Sequence, residues 1–372
     1  MSTDIETISM LRDSLGRYGA DQYPMLKRAP RLALPGGFCA DTWQQYAEFG
    51  WLSLCLPEEQ DGLDGDAVAV GAVLEVVGSR LLLEPVLASA VLAVSLLRKQ
   101  GSAQQQAELL PAIAEGQLII VPGFGADSAS EQLCRLEDGQ LAGEQPAVLH
   151  GDIAHQFLVP ARDTQGELHI CLVEASVAGV ERSVFALVDG RGAANLRFNN
   201  ATVTLLHPQA GSPSAETALA EVRDEASVAL CAEVLGIASS LLRITTDYLK
   251  VRQQFGKPLA ANQALQHRMA DFYLLTEEIR ALTRAAQRAM TEPAGQRARL
   301  LHGVRSYISD AGRRIGNEAV QLHGGVGITE ELEVSHYFRR LMVNAALFGR
   351  HDEHLARFIE LSLDCVEEPA HA

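Results

Sequence analysis

The stretch QLHGGVG, residues 321–327, places three glycines directly after a run of residues with the apolar periodicity of a helix. Gly324, Gly325 and Gly327 have no side chain, so their backbone can adopt a positive φ or approach another group closely. That group is either a neighbouring helix or an anion such as a phosphate, and the glycines alone leave both explanations open. The rest of the sequence must indicate what this helix end faces.

A second stretch, RQQFGKP at residues 252–258, has the composition of a corner between two helices. Gly256 and Pro258 are expected to end one helix and reverse the chain. Arg252 then lies in the last turn of the first helix and Gln263 in the first turn of the next. Such a corner can offer a guanidinium to a phosphate. The simpler alternative is an arginine that only stabilises the C-terminal end of the helix dipole.

Hydrophobic periodicity divides the chain into three regions. To about residue 116 the apolar residues recur at helical spacing, for example at 103–114, between breaks that contain proline and glycine, such as Gly101. Residues 117–212 hold short β-branched or apolar segments and turns such as residues 137–139, which predicts a compact β domain. The predicted strands lie at residues 118–121, 156–159, 169–173, 179–185 and 201–206. Residues 213–372 predict an antiparallel four-helix bundle. Its helices are expected at residues 225–252, 262–290, 295–323 and 349–363. We therefore expect an α+β fold with domains at 1–116, 117–212 and 213–372.

Composition argues against several classes of protein. The 372 residues carry a formal net charge of −16, whereas nucleic-acid-binding proteins usually show basic clusters. The most apolar stretch, from Leu81 to Leu97, is interrupted by Glu84 and Pro85 and is too short to span a bilayer. The six cysteines are scattered without a C-x-x-C pair, which is typical of reduced thiols. We expect a cytoplasmic protein that has no membrane span and binds no nucleic acid.

Other enzyme classes have little support in the sequence. A di-metal centre in a helical bundle needs two Glu-x-x-His pairs and two further carboxylates, and only Glu333 with His336 stands out as such a pair. No G-x-S-x-G elbow, no Walker loop and no G-x-G-x-x-G after a predicted strand occurs. We therefore expect neither a metal nor a nicotinamide cofactor.

The two glycine-containing stretches resemble motifs of the acyl-CoA dehydrogenase family. The last domain of that family carries an R-x-x-F-G corner, with a glutamine seven residues after the glycine, and later a Q-x-x-G-G-x-G loop. Both occur here in that order, from Arg252 to Gln263 and from Gln321 to Gly327. The resemblance implies an N-terminal all-α domain, a central β-barrel-like domain and a C-terminal four-helix bundle.

In that family the two motifs hold the diphosphate and adenosine side of FAD, and they do so for the neighbouring subunit. The resemblance therefore implies that FAD is the cofactor and that the glycines let a helix-end backbone meet an anionic ligand. The residues that it assigns to cofactor binding are Arg252, Phe255, Gln263, Gln321, Gly324 and Gly325.

Three segments depart from the family pattern on the side that uses the flavin ring. The T-E-x-x-x-G-S-D loop is replaced by residues 121–128, and the W-I-T/S strand by residues 147–150. The Y-E-G-T loop, whose glutamate removes the α-proton, is replaced by residues 347–350, with Phe348 in the place of the glutamate. Without a carboxylate near that carbon the elimination has no proton acceptor.

An alternative position for the base lies at the start of the first long C-terminal helix. A minority of the family place it there, and the position corresponds to Ala226. A shift of one residue makes Glu225 the catalytic base. The alternative is that Asp224 and Glu225 only stabilise the N-terminus of the helix.

The half-complete site predicts a subunit of an FAD-dependent acyl-CoA dehydrogenase that oxidises an acyl-CoA to a 2-enoyl-CoA in lipid metabolism. The chain resembles the small or degenerate subunits of pimeloyl-CoA and steroid side-chain acyl-CoA dehydrogenases. We expect a heterotetramer, in which a homologous partner supplies the glutamate and the ring-facing loops, with an electron-transfer flavoprotein as a possible acceptor. The alternatives are a self-sufficient homo-oligomer that uses Glu225 and a non-catalytic scaffold with the same fold.

Overall fold

A computed structural model describes residues 5–124, 133–254 and 256–367 of the chain. Helices lie on both sides of a β region in the sequence, so the predicted α+β fold class is confirmed. The chain packs into two compact units, each built from separate segments. The first comprises Met1–Leu11, Lys27–Val70 and Leu83–Ala226, and the second comprises Arg12–Leu26, Gly71–Leu82 and Ser227–Ala372. The predicted division into three domains stays a prediction.

The region before the sheet is helical, as its periodicity predicts. The predicted helix at residues 103–114 is reproduced to the residue because a capping box fixes its start. Ser102 Oγ accepts the Gln105 N–H at 3.2 Å, and Gln105 Oε1 accepts the Ser102 N–H at 2.9 Å. The helices are α1 Ile5–Gln22, α2 Met25–Leu32, α3 Ala40–Glu48, α4 Ala67–Arg80, a π-helical segment Val86–Ala93 that continues into α5 Val94–Gln100, and α6 Ala103–Ala114.

A mixed eight-stranded sheet forms the β region of the first unit. The strands are β1 Ile120–Pro122, β2 Cys134–Glu137, β3 Gln140–Leu149, β4 Gln156–Arg162, β5 Leu168–Glu174, β6 Val180–Ala186, β7 Gly192–Thr202 and β8 Thr204–Leu205. Their order is β6-β7-β3-β2-β4-β5-β8, with β1 beside β4. The pairs β1–β4 and β2–β4 are parallel and the other neighbours are antiparallel.

Sequence periodicity did not reveal β2, β3 or most of β7. Asp138 and Gly139 form the expected turn, with φ of 49° and 73°, but the turn joins two strands that read as polar. In β3 the pairing with β7 shifts register at Gly143 and again between Gln145 and Val148. These irregularities break the period of two that marks a strand.

The helices after the sheet include one more than the four predicted. They are α7 Ala215–Val251, α8 Gln263–Ala289, α9 Ala294–His323, α10 Glu333–Asn344 and α11 His351–Glu367. The expectation that α7 begins at Glu225 is wrong, because the helix starts ten residues earlier. There the Thr217 N–H donates to Ser214 Oγ at 3.2 Å. The additional helix α10 is rich in β-branched, aromatic and histidine residues, which have modest helix propensity.

Helix α7 is long and apolar enough to cross a membrane, with a mean hydropathy of 1.7 in its most apolar window. However, 83% of that window is buried inside the protein. The helix therefore belongs to the protein core.

In the second unit the C-terminal part of α4 packs very closely on α7. A Cβ on Gly78 would lie 2.2 Å from the carbonyl oxygen of Glu233, and one on Gly236 would lie 1.9 Å from that of Glu75. Helix α10 adds the buried Arg340, whose guanidinium binds Glu233 at 2.8 Å. Its other amino group donates to the carbonyl oxygen of Leu82, also at 2.8 Å. The Arg340 side chain thus joins α10 to α7 and to the residue pair that follows α4.

Candidate functional site

The first site segment is a hairpin at the end of α7. The Arg252 N–H still donates to Tyr248 O at 2.8 Å, and the chain then forms a short antiparallel pair between β9 Gln253–Gln254 and β10 Lys257–Pro258. Gly256 has a φ of 79°, which the reversal requires. The predicted corner is confirmed. Phe255, which was assigned to the cofactor, lies outside the described residues.

The polar side chains of this corner are accessible to solvent. Arg252 is exposed just after α7, and Gln263 is exposed as the first residue of α8. Within the described parts of the chain, neither side chain makes a hydrogen bond or an ion pair. Both are therefore available to a ligand from outside the chain.

The second site segment follows the end of α9. Its three glycines differ in whether the structure explains why a side chain is absent. Gly324 has φ 65° and ψ −150°, a conformation open essentially to glycine alone. A Cβ on Gly327 would lie 2.7 Å from Val320 O and 3.0 Å from His323 Cβ, so close backbone packing requires the glycine. Gly325 has neither reason, because its φ is not positive and a Cβ there would meet no atom within 4 Å. Nothing in the described part of the chain explains its missing side chain.

Two aromatic rings bring the ends of α7 and α9 together. The ring of Tyr248 stacks on that of His323, with centroids 4.3 Å apart and an interplanar angle of 30°. The Tyr248 hydroxyl also donates to the carbonyl oxygen of His323 at 3.3 Å. Arg252 follows Tyr248 by one helical turn, and Gly324 follows His323 directly. The two predicted motifs therefore meet at one end of the second unit.

A salt bridge brings the start of α8 to the same end. The Arg268 guanidinium forms two hydrogen bonds to Glu318, of 2.5 Å from Nε and 2.8 Å from Nη2. Arg268 lies little more than one turn after Gln263, and Glu318 lies three residues before the exposed Gln321. The resemblance did not identify Tyr248, His323, Arg268 or Glu318, because their contacts join residues far apart in the sequence.

Glu225, the alternative base, lies in the interior of α7 and not at its N-terminus, so the helix-dipole explanation for it is wrong. Its carboxylate pairs with the Lys99 ammonium at 3.2 Å, and Glu221 pairs with the same ammonium at 3.3 Å. Burial, followed by the charge of Glu225, raises the pKa of the neighbouring Cys55 to about 12. The carboxylate is thus engaged in an ion pair in the first unit.

The segment that replaces the family's glutamate loop is held firmly by its backbone. Phe348 and Gly349 have φ of 56° and 106°. The guanidinium of the fully buried Arg305 donates to the carbonyl oxygen of Leu347 at 3.2 Å and also to that of Asn344. His354 Nε2 lies 3.1 Å from the Phe348 carbonyl oxygen. This segment offers no carboxylate at the position of Phe348.

The two other departures from the family pattern are only partly described. Residues 121–124 lie in and after β1, but residues 125–128 of the replaced loop fall outside the described part of the chain. Residues 147–150 lie at the end of β3, where Val148 and Leu149 are buried. The Ala147 N–H donates to Asn195 Oδ1 at 2.8 Å, so this segment is fixed within the sheet without an aromatic side chain.

A group of three possible metal ligands lies at the turn between β4 and β5. The ligand atoms of Asp163, Glu167 and His169 all lie within 4.8 Å of one another. The Asp163 carboxylate already accepts two backbone N–H groups of its own turn and faces His169 Nε2 at 3.1 Å. These contacts explain the group as a hydrogen-bonded turn.

The chemistry gathered at the ends of α7, α8 and α9 suits a nucleotide. It consists of an exposed guanidinium, two exposed amide side chains and a glycine backbone that faces open space. A guanidinium is a usual ligand of phosphates, and a backbone N–H of the glycine loop can donate to one, whereas the last carbonyls of α9 cannot. Helices precede and follow the sheet in the sequence, as the resemblance to acyl-CoA dehydrogenases implies.

Comparison with known proteins establishes the family. The domain described as "Acyl-CoA dehydrogenase, N-terminal domain" matches residues 6–117, and "Acyl-CoA dehydrogenase, C-terminal domain" matches residues 211–360. The acyl-CoA dehydrogenase IpdE2 of Mycolicibacterium smegmatis is 28% identical over 323 residues, which cover 86% of this chain and 88% of that protein. The chain belongs to the acyl-CoA dehydrogenase family.

Two solved structures show how closely the fold is shared. A chain of the ChsE4-ChsE5 complex from Mycobacterium tuberculosis has a TM-score of 0.86 and 25% sequence identity, with 99% of both chains covered. A glutaryl-CoA dehydrogenase from Mycobacterium smegmatis, in complex with FADH2, has a TM-score of 0.84 and 18% identity. That match covers 99% of this chain and 96% of the other, and it concerns the fold alone.

Proposed function

We propose that this chain is a subunit of an FAD-dependent acyl-CoA dehydrogenase and that it binds the nucleotide half of FAD. The observation that carries the proposal is Gly325, whose missing side chain has no cause among the described residues although it lies exposed beside the Tyr248–His323 contact that joins the two motifs. A ligand that approaches the backbone from outside supplies that cause. Membership of the family makes FAD the natural ligand.

The residues at this end of the second unit divide the work by their chemistry. Arg252 can donate two parallel N–H bonds to the diphosphate. Gln263 and Gln321 can each donate and accept hydrogen bonds at the adenosine. Gly324 and Gly325 bring bare backbone close to the anionic cofactor. FAD supplies the site with an acceptor for the hydride that leaves the β-carbon of the acyl-CoA.

The proton acceptor is proposed to come from a homologous partner chain. Phe348 stands where most of the family has its glutamate, and the carboxylate of Glu225 is paired with Lys99. The ChsE4-ChsE5 structure is itself a complex of two differently named chains, which supports a heteromeric assembly over a homo-oligomer. The ring-facing loops would come from the same partner. Acyl-CoA is the substrate class, and an electron-transfer flavoprotein is the proposed acceptor.

Phe348 in the place of the family's glutamate and the pairing of Glu225 with Lys99 also favour a second candidate, a non-catalytic scaffold subunit. Both candidates place the chain in the cytoplasm, since the five cysteines whose side chains are described are all unpaired. They differ in whether the complex loses FAD when this chain loses Arg252.

The test is to express the chain with its homologous partner and to measure flavin absorbance and acyl-CoA-dependent dye reduction. Arg252→Ala should weaken FAD binding about tenfold to a hundredfold, the usual contribution of charged hydrogen bonds. The matched control is Arg243→Ala, which removes an exposed arginine of α7 whose guanidinium lies 3.7 Å from the Asp247 carboxylate. An Arg252→Ala complex that binds FAD as tightly as the control contradicts the proposal. The non-catalytic scaffold is then the remaining candidate.

A further inference from the structure

We propose that Tyr248 and His323 form a positioning pair, which sets the distance between the two cofactor-binding helix ends. This inference rests on the proposed function. His323 is only 4% exposed and Tyr248 is half-buried, so we assign the pair an indirect role. Their effect on FAD binding would pass through Arg252 and Gly324.

On the side of α9, the pair fixes the peptide from which the glycine loop starts. The carbonyl oxygen of His323 is among the last carbonyls of the helix, which have no partner within the helix itself. The Tyr248 hydroxyl donates to this oxygen at 3.3 Å. The carbonyl of His323 and the N–H of Gly324 belong to one planar peptide group, so orienting one orients the other. The hydroxyl therefore sets the direction in which Gly324 and Gly325 leave the helix.

The imidazole of His323 is itself locked in place. Nδ1 lies 2.8 Å from the carbonyl oxygen of Ala319, which requires a hydrogen on Nδ1. Burial lowers the pKa of His323, so the ring is neutral near pH 7 and Nε2 carries a lone pair. Nε2 is buried without a hydrogen-bond partner in the described residues, which costs about 1–3 kcal/mol. An apolar ring would avoid that cost, and such local costs are typical of functional positions.

On the side of α7, the pair connects rigidly to Arg252. The Arg252 N–H donates to the carbonyl oxygen of Tyr248 at 2.8 Å, so the arginine backbone still belongs to the helical hydrogen-bond ladder. A shift of the Tyr248 backbone would therefore move the start of the arginine side chain with it. Binding groups must be held to about 0.5 Å to keep their effect.

The unit has a separate contact that should preserve the fold when the pair is lost. The salt bridge between Arg268 and Glu318 holds α8 to the same part of α9 without involving either ring. Loss of the Tyr248 ring should therefore loosen the register of two helix ends while the helices themselves stay in place. This separates a positioning role from a purely structural one.

The test uses the complex of this chain with its partner and compares Tyr248→Phe with Tyr248→Leu. The first keeps the ring and removes the hydroxyl, and the second removes the stacking as well. We expect the Kd for FAD to rise about threefold to tenfold in Tyr248→Phe and about tenfold to a hundredfold in Tyr248→Leu. The thermal midpoint of the apo-complex should fall by less than about 5 °C.

The matched control is Tyr307→Phe, which removes another hydroxyl of the second unit, one that donates to Glu278 on an exposed surface. Its Kd for FAD should stay unchanged. If Arg252→Ala weakens FAD binding but neither Tyr248 variant does, the positioning pair is refuted and the proposed function stands. If none of the three weakens it, the proposed function fails. If Tyr248→Leu lowers the thermal midpoint further than expected, Tyr248→Phe decides, and an unchanged Kd refutes the pair.

Discussion

Two neighbouring glycines of the QLHGGVG loop should respond in opposite ways to the same substitution. A Cβ at Gly325 meets no atom of the chain within 4 Å, and the backbone there needs no positive φ. Gly325→Ala should therefore leave the fold intact and can stabilise it by about 0.4–1 kcal/mol, because alanine restricts the unfolded chain. A Cβ at Gly327 would lie 2.7 Å from Val320 O, so Gly327→Ala should destabilise the protein by about 1–3 kcal/mol.

FAD binding should follow the reverse order. If the cofactor approaches the Gly325 backbone, an added methyl group displaces it at a cost of about 1–3 kcal/mol, which corresponds to roughly fivefold to a hundred and fiftyfold in Kd. Gly327→Ala changes no surface that the ligand touches, so any folded complex that carries it should bind FAD with a smaller loss.

The assay combines urea unfolding of the apo-complex with a titration of FAD followed by flavin fluorescence. The two variants serve as each other's control, since both replace glycine by alanine in the same loop. The reasoning is refuted if Gly325→Ala binds FAD within twofold of the unmodified complex. It is equally refuted if Gly325→Ala destabilises the fold as much as Gly327→Ala does.

Three further predictions concern the base and the buried charges. Glu225→Gln should leave both turnover and flavin content of the complex unchanged; a loss of turnover alone would make Glu225 the base. Glu233→Gln should lower the free energy of unfolding by about 3–5 kcal/mol, because it removes the charge of the carboxylate that binds the buried Arg340 guanidinium at 2.8 Å, and urea unfolding measures this. Burial lowers the pKa of His302 to about 4 and that of His354 to about 3, below the 6.5 of an exposed histidine. As the pH falls below about 6.5 the unfolded chain takes up protons first, so stability that is complete above pH 7 should drop by roughly 2–4 kcal/mol at pH 5. Replacing both histidines should flatten that loss in unfolding curves recorded at the two pH values.

Local signals in the sequence predicted those elements whose ends are fixed by nearby residues. The bounds of helix α6 are predicted to the residue because its periodicity and the Gly101 break are local signals. The sequence does not reveal strand β3, because register shifts interrupt the alternation of apolar and polar residues. Those shifts arise in its pairing with β7. The start of α7 was placed ten residues late, so Glu225 was expected at a helix end where it does not lie.

The candidate site shows the same division between local and long-range information. Motif spacing pointed to Arg252, Gln321 and the glycines, and it predicted the corner that the chain makes after α7. It did not reveal Tyr248 and His323, because their contact joins residues 75 positions apart. The sequence also does not show how the three glycines differ, since φ and the room for a Cβ depend on tertiary packing.

The most direct test of the account is an experimental structure of the complex between this chain, its homologous partner and FAD. The account predicts that phosphate oxygens of FAD lie about 3 Å from the Arg252 guanidinium and that the cofactor contacts the Gly325 backbone. The partner's chain should then surround the flavin ring and supply the carboxylate. A structure in which FAD is held by one chain alone, with Arg252 and Gly325 facing solvent, would contradict it.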